Sequence, residues 1–378
     1  MKSALCRQLG IEFPLFAFSH CRDVVAEVTN AGGMGVLGAV GHTPETLEIE
    51  LAWIDQRVGG KPYGIDLLIP NNMEAKEGNV TAEELEARIP PEHRAYVEKL
   101  LRQNGIDPAG LWSETFPNAL GENMRGEGAE RLLDVAFAHP IGLIVNALGV
   151  PPPSMIERAR RKGIAVGALT GAREHAVRHA QAGVDVLIVS GTEAGGHCGE
   201  VSTLVLVPEV LQAMEAFPNV RVLAAGGIAT GRQMAACMAM GADGAWTGSV
   251  WLTTAEAETT PTIKRKMLAA GSRDTVRSRS RTGKYTRQLR SPWTDAWGSA
   301  EAPVPLPMPL QGLVAKRALA RVDRLAESGH EGARTLATYY VGQAVGLMNA
   351  ETSARAVVYE FMRDYAEAVE RLSATVEE

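Results

Sequence analysis

The chain has 378 residues, 46% of them hydrophobic and 22% charged, with a net charge of −6. This is a globular composition, and the acidic balance speaks against a nucleic-acid binder, whose domains are normally basic. Cys6, Cys21, Cys198 and Cys237 form no CxxC pair; they read as reduced thiols of a cytoplasmic protein, not as a disulfide framework. The first residues carry no long apolar run, so no signal peptide is expected. No stretch is apolar enough for a membrane span, and none is expected.

Short apolar runs alternate with helical patterns along the chain. The first run covers residues 13–18 (FPLFAF), followed by a helix over 22–31 that closes on Gly32 and Gly33. The second is 35–40 (GVLGAV); the helix after it, 43–58, has Thr43 as a start signal and a Gly-Gly stop. The third is 63–69 (YGIDLLI). The rhythm then breaks over 70–126, a polar stretch too long for a structureless loop and read as a helical insertion. It resumes with a helix near 129–139, a fourth run at 141–148 (IGLIVNAL) and a helix to Gly163. The fifth run is 164–169 (IAVGAL) and the sixth 185–190 (DVLIVS), with a helix between them. The seventh is 220–225 (VRVLAA), preceded by a helix from Pro208 and followed by one over 231–241; the eighth is 244–250 (GAWTGSV).

Eight continuously apolar runs, most followed by a helix, fit strands buried on both faces of a parallel sheet. Their number predicts a closed (β/α)₈ TIM barrel, an α/β fold, with the insertion after strand three on its top face. The expected organisation is a barrel over 1–254 with the insertion at 70–126, a substrate-side extension over 255–330, and C-terminal helices over 331–378 packing on the barrel. Within the extension, 293–310 reads as an extended loop.

Two places carry phosphate chemistry. Gly226 and Gly227 end the seventh run before a helix, and Thr247, Gly248 and Ser249 end the eighth. Phosphate needs several backbone N–H donors at close range, and glycine lets the backbone approach. In barrels these two loops commonly form that site. The amides of Gly227 and Ser249, with the Ser249 hydroxyl, are the expected donors.

The loop after the sixth run, GTEAGGHCG, is the candidate for chemistry. Gly195 and Gly196 let it fold tightly, and His197 projects into the barrel mouth. A neutral imidazole there takes a proton or hydrogen-bonds an anionic substrate. The alternative is a histidine that only caps the loop. Glu193 reads equally as an acid–base group or as a residue that orients the loop. A nucleophilic pair of Cys198 with His197 is disfavoured, because neighbours in sequence point apart.

GTEAGGHCG, AAGGIATGRQMAA and GADGAWTGSVWL together resemble the nitronate monooxygenase (2-nitropropane dioxygenase-like) flavoproteins. The likeness extends to GIEFP, to NAGGMGVLGA at 30–39, to KPYGIDL at 61–67 and to YYVGQAVG at 339–346. The resemblance implies an FMN-dependent oxidoreductase that oxidises alkyl nitronates or a related small anionic substrate with O₂, with His197 as the catalytic candidate. Relatives of the same fold include FMN-dependent enoyl-thioester reductases of carrier-protein or CoA substrates, which use NAD(P)H; that activity is the alternative, and a non-catalytic flavin-binding protein is a third.

The resemblance also places the flavin contacts at Ala17, Phe18, Ser19, Asp66, Ser190, Gly195, Gly196, Gly226, Gly227, Thr247, Gly248 and Ser249. Departures from the family pattern cluster at the ring end: the first strand ends in Ala17-Phe18-Ser19-His20, Asp66 stands where Asn is common, and Ser190 where Gln is common. His20 becomes a second acid–base or anion-contact candidate, against a plainly packed histidine. Asp66 requires a partner, either the flavin edge or His20, because an unpaired buried carboxylate is costly. The Arg-rich segment 273–290 reads either as a solvated or subunit-contact surface, a homodimer being one expectation, or as the receiver of an anionic tail such as a CoA or carrier phosphate. Trp293 and Trp297 either cover the flavin mouth or pack in a core.

Overall fold

The computed structural model describes residues 3–69, 82–113 and 126–376. Eight parallel strands close a barrel: β1 (Leu15–Ser19), β2 (Met34–Gly38), β3 (Gly64–Leu67), β4 (Leu143–Asn146), β5 (Ala165–Thr170), β6 (Val186–Ser190), β8 (Arg221–Ala225) and β9 (Gly244–Thr247). Pairing of Leu15 with Ala245 joins the last strand to the first. The eight apolar runs of the sequence are these strands, each displaced by a few residues.

The barrel is held by two apolar layers. Phe16, Val36, Val145, Ile188, Leu223 and Trp246 fill its interior, joined from below by Leu5 and Leu9 of helix Ala4–Leu9. Their neighbours Ala17, Leu37, Ile144, Val189 and Ala224 face outward to the surrounding helices. Strand residues alternate between the faces, so both must be apolar, and each fully buried Val or Leu contributes roughly 1.5–3 kcal/mol. The expected helices are present. The one before β8 begins at Thr203, not at Pro208, and runs Thr203–Met214 through the proline. A side chain from the preceding loop caps its first turn, which no local signal in 203–207 announces.

A third cluster lies outside the barrel. Val97 and Leu101 of helix Pro91–Gln103, within the insertion, pack with Ile263, Trp293, Val314 and Leu336. The described parts of the insertion, 82–113 and residue 126, hold helices Ala82–Ala87 and Pro91–Gln103 joined by turns and a short 3₁₀ turn at Leu111–Ser113; residues 70–81 and 114–125 lie outside the described residues. The stretch read as a loop contains helix Pro292–Trp297, and helix Leu310–Glu327 follows. Of the C-terminal stretch expected against the barrel, Ala354–Ala374 packs there through Val357, Val358 and Phe361. Helix Glu331–Leu336 instead joins the outer cluster, because Ala333 and Leu336 are buried in it.

The Arg-rich segment is partly solvated, with Arg273, Lys284 and Arg290 exposed. It folds into a hairpin of β10 (Thr275–Ser278) and β11 (Thr286–Leu289), and β11 pairs antiparallel with a short strand β7 (Gly196–His197). The arginines tie this hairpin to backbone carbonyls. Arg279 Nε donates to Gly283 O (2.7 Å), Arg281 to Thr338 O (3.1 Å) and Arg287 Nε to Thr192 O (2.9 Å).

Near the N-terminal ends of the strands, His139 is clamped between carboxylates. Its Nδ1 lies 2.7 Å from Asp55 and its Nε2 3.1 Å from Glu48, while the Tyr63 hydroxyl donates to Asp55 (2.7 Å). Burial pushes the imidazole pKa down, but the two carboxylates outweigh it and raise the pKa above 6.5. Such a histidine contributes its stability fully below the unfolded value, and loses it as pH rises through the folded one. His139→Gln is therefore expected to lower stability by about 1 kcal/mol at pH 5.5–6, and by less at pH 8; urea melts at the two pH values test this.

Candidate active site

The site forms where the loops after β6, β8 and β9 meet. Gly226 and Gly227 have φ of +93° and +75°, a region that side chains disfavour. A Cβ on Gly227 would lie 3.0 Å from the Glu193 side chain, and one on Gly226 3.1 Å from Ala194 N. Among the described residues, the main-chain N–H groups of Gly226, Gly227 and Gly248 find no main-chain acceptor. These glycines are half-buried, so their N–H groups stay open to an incoming acceptor. The Ser249 hydroxyl accepts a hydrogen bond from Gly342 N (2.8 Å), which leaves its own proton to donate.

The loop 191–199 is fixed from two sides. Glu193 is not free to act as an acid or base: its carboxylate accepts from Thr203 N (2.9 Å) and Thr203 Oγ1 (3.0 Å). It thus caps the helix that starts at Thr203, and the orienting alternative holds. Its carbonyl accepts from Gln343 N (2.9 Å). Backbone meets backbone here, since a Cβ on Gly195 would lie 2.7 Å from Gly342 N. Gly342 escaped the sequence reading of the site, although the YYVGQAVG segment was part of the resemblance.

His197 stands on β7 opposite Thr286. His197 is exposed, and its Nε2 lies 3.1 Å from Thr282 Oγ1. Loss of hydration, then the Lys284 ammonium, hold its pKa below 6.5. The imidazole is therefore neutral at pH 7 and able to accept a proton. Thr282 and Lys284 carry no local signal of this role; only the pairing of β11 with β7 brings them here.

At the opposite rim, Phe18 bridges the two ends of the site. Its ring stacks near Trp246 (6.0 Å), meets His20 edge-on (5.1 Å), and lies 3.9 Å from where a Cβ on Gly248 would be. His20 does not pair with Asp66. Its Nδ1 donates to Gly38 O at 2.7 Å, leaving Nε2 as the free ring atom. Asp66 is 2% exposed, and its Oδ1 finds no hydrogen-bond partner among the described residues. Burial holds its carboxyl well above the usual carboxylate range.

Other expected contacts are rearranged. Ala17 faces the outer apolar layer, so it offers only its backbone. The Ser19 hydroxyl accepts from Cys21 N (3.1 Å). The Thr247 hydroxyl donates to Phe16 O and accepts from Trp251 Nε1, both at 3.0 Å, so it is committed already. Ser190 ends β6 beside Ala225, in line with the site. Trp293 and Trp297 are buried in the outer cluster and cover no mouth.

A closed barrel with glycine turns after its last two strands, and a histidine on the loop before them, has the architecture of a barrel enzyme with its site at the C-terminal ends of the strands. The comparisons narrow this. A family model described as nitronate monooxygenase matches residues 2–364. The Mycobacterium tuberculosis protein named "Putative monooxygenase Rv1533" is 51% identical over 378 residues, 100% of both chains. A "Probable nitronate monooxygenase" of Staphylococcus saprophyticus is 28% identical over 300 residues, 75% of this chain and 77% of the relative. The chain belongs to the nitronate monooxygenase family of FMN-dependent oxidoreductases. Nitroalkane oxidase from Streptomyces ansochromogenes superposes with a TM-score of 0.78 at 24% identity, over 98% of this chain and 100% of that one. The enoyl reductase domain of MlnA from Bacillus amyloliquefaciens gives 0.68 at 15%, over 99% and 98%. These two structures speak to the fold. No helix among the described residues is long and apolar enough to cross a membrane.

Asp66 gives a stability test. A carboxyl whose folded pKa is raised contributes stability below its unfolded value of 3.8, and loses it as pH rises above that. In flavin-free protein, Asp66→Asn is expected to raise the thermal midpoint at pH 7 by several degrees, on the order of 1–2 kcal/mol, and by less at pH 4. An unchanged midpoint at pH 7 would mean the carboxyl has a partner that compensates it.

Proposed function

We propose that this chain binds FMN and oxidises alkyl nitronates, or a closely related small anion, with O₂. The convergence of the three glycine-bearing loops beside His197 carries the reading. The free N–H groups of Gly226, Gly227 and Gly248, with the Ser249 hydroxyl, suit a terminal phosphate. The unpartnered carboxyl of Asp66 suits the flavin's pyrimidine edge, because a neutral acid both donates and accepts. These residues fit the group. When bound, the flavin supplies a two-way electron relay between the substrate and O₂.

The protein's part is binding and proton control. His197, neutral at pH 7, takes the proton from the carbon beside a nitro group, and its N–H then donates a hydrogen bond to the nitronate so formed. The Lys284 ammonium adds positive charge near the place where the anion forms. Phe18 and Trp246 give the ring end an apolar floor, and apolar surroundings strengthen the remaining electrostatic contacts.

The purified protein is expected to be yellow, with a flavin spectrum, and propyl nitronate should bleach it anaerobically without any nicotinamide. A colourless protein that takes up no FMN would sink the reading. Bleaching by NADH and not by nitronate would shift it to the enoyl-thioester reductases. His197→Ala should keep the colour and lose turnover of neutral 1-nitropropane, whose C–H proton must be removed, by about 100-fold or more. Turnover should also fall as pH drops through the His197 pKa, which lies below 6.5.

A further inference from the structure

The hairpin tip that carries Thr282 is rigid. Arg279 holds it through Gly283 O (2.7 Å) and Pro305 O (3.1 Å). Gln311 Nε2 donates to Ser280 O, and Gln311 Oε1 accepts from Leu306 N, both at 3.0 Å. Gly283 has φ of +83° and packs so closely on Leu306 that a Cβ would lie 2.0 Å from its carbonyl oxygen. Thr282 Oγ1 is thus a fixed point, and three groups share it. Lys284 N donates to it (3.3 Å), it contacts Lys284 O (3.2 Å), and His197 Nε2 lies 3.1 Å away.

A threonine hydroxyl has one proton and two lone pairs. Lys284 O is a pure acceptor, so the proton goes there. Lys284 N–H takes one lone pair. The remaining lone pair can only be met by a donor, and this assigns the proton of the neutral imidazole to Nε2. We propose that Thr282 is a positioning residue for His197: it accepts from Nε2–H and leaves Nδ1 as the atom that takes the substrate's proton. The C–H bond beside the nitro group then breaks, an N–H bond forms at Nδ1, and the electron pair stays on the substrate as the nitronate. This step rests on the function proposed above; the assignment of the ring protons does not.

The test uses ¹⁵N-histidine-labelled full-length protein above pH 7.5, with the His197 signals identified by their loss in His197→Gln. In the unmodified protein, Nε2 should show the protonated type of shift and Nδ1 the unprotonated type. In Thr282→Val, the Nε2–H proton should exchange with water faster, and kcat on neutral 1-nitropropane, whose C–H bond must break, should fall about 5- to 10-fold, with KM changing less than twofold. Thr282→Ser, which keeps the hydroxyl, should restore both.

A protonated Nδ1 in the unmodified protein would overturn the assignment without any use of substrate. So would a Thr282→Val protein with unchanged exchange and kcat, or a loss that Thr282→Ser does not restore. If the ring protons are as assigned but no nitronate is turned over, the function proposed above fails and the assignment stands.

Discussion

The site depends on one strand pairing, that of Gly196 and His197 with Arg287 and Thr286. Backbone hydrogen bonds across it give the loop after β6 a sheet edge to lie on, instead of leaving a glycine-rich segment to wander. Each such bond is modest, about 1 kcal/mol net, but the register they impose is strict. A slip by one residue would turn His197 to the other face. Glu193, Gly195 and Gly342 hold the same loop from its other side, so the histidine is fixed at both flanks.

That arrangement explains where the charge of the Arg-rich segment goes. Arg279, Arg281 and Arg287 donate to carbonyl oxygens and stay partly or largely buried. Their guanidinium groups offer several fixed donors each, which suits joining irregular backbone. Of the segment's cations, Lys284 bears on His197 directly. Much of the basic composition here therefore serves folding.

The barrel was legible because its strands are buried on both faces, which writes continuous apolar runs such as 185–190 into the sequence. Gly226 and Gly227 were legible because a phosphate turn needs glycines at fixed places. The hairpin was not. Its pairing with His197 joins residues far apart in sequence, and the arginines hid the turn that Gly283 makes. The start of helix Thr203–Met214 was hidden for a similar reason, since its cap comes from Glu193 in a preceding loop. His20 and Asp66 stand near each other in the reading of the chain, yet His20 turns to Gly38 O. Side-chain choices among nearby acceptors are settled by packing, and the sequence does not display it.

The order of the chain gives this pairing a consequence in time. The barrel strands and the loop bearing His197 all precede residue 250, whereas the hairpin that aims the histidine and the segment around Gly342 follow it. Domains form as the chain emerges, N-terminal parts first. During synthesis, the barrel can close while its histidine still lacks an aimed partner. Competence to turn over a reactive substrate then arrives last, as a product of assembly and not of barrel closure alone.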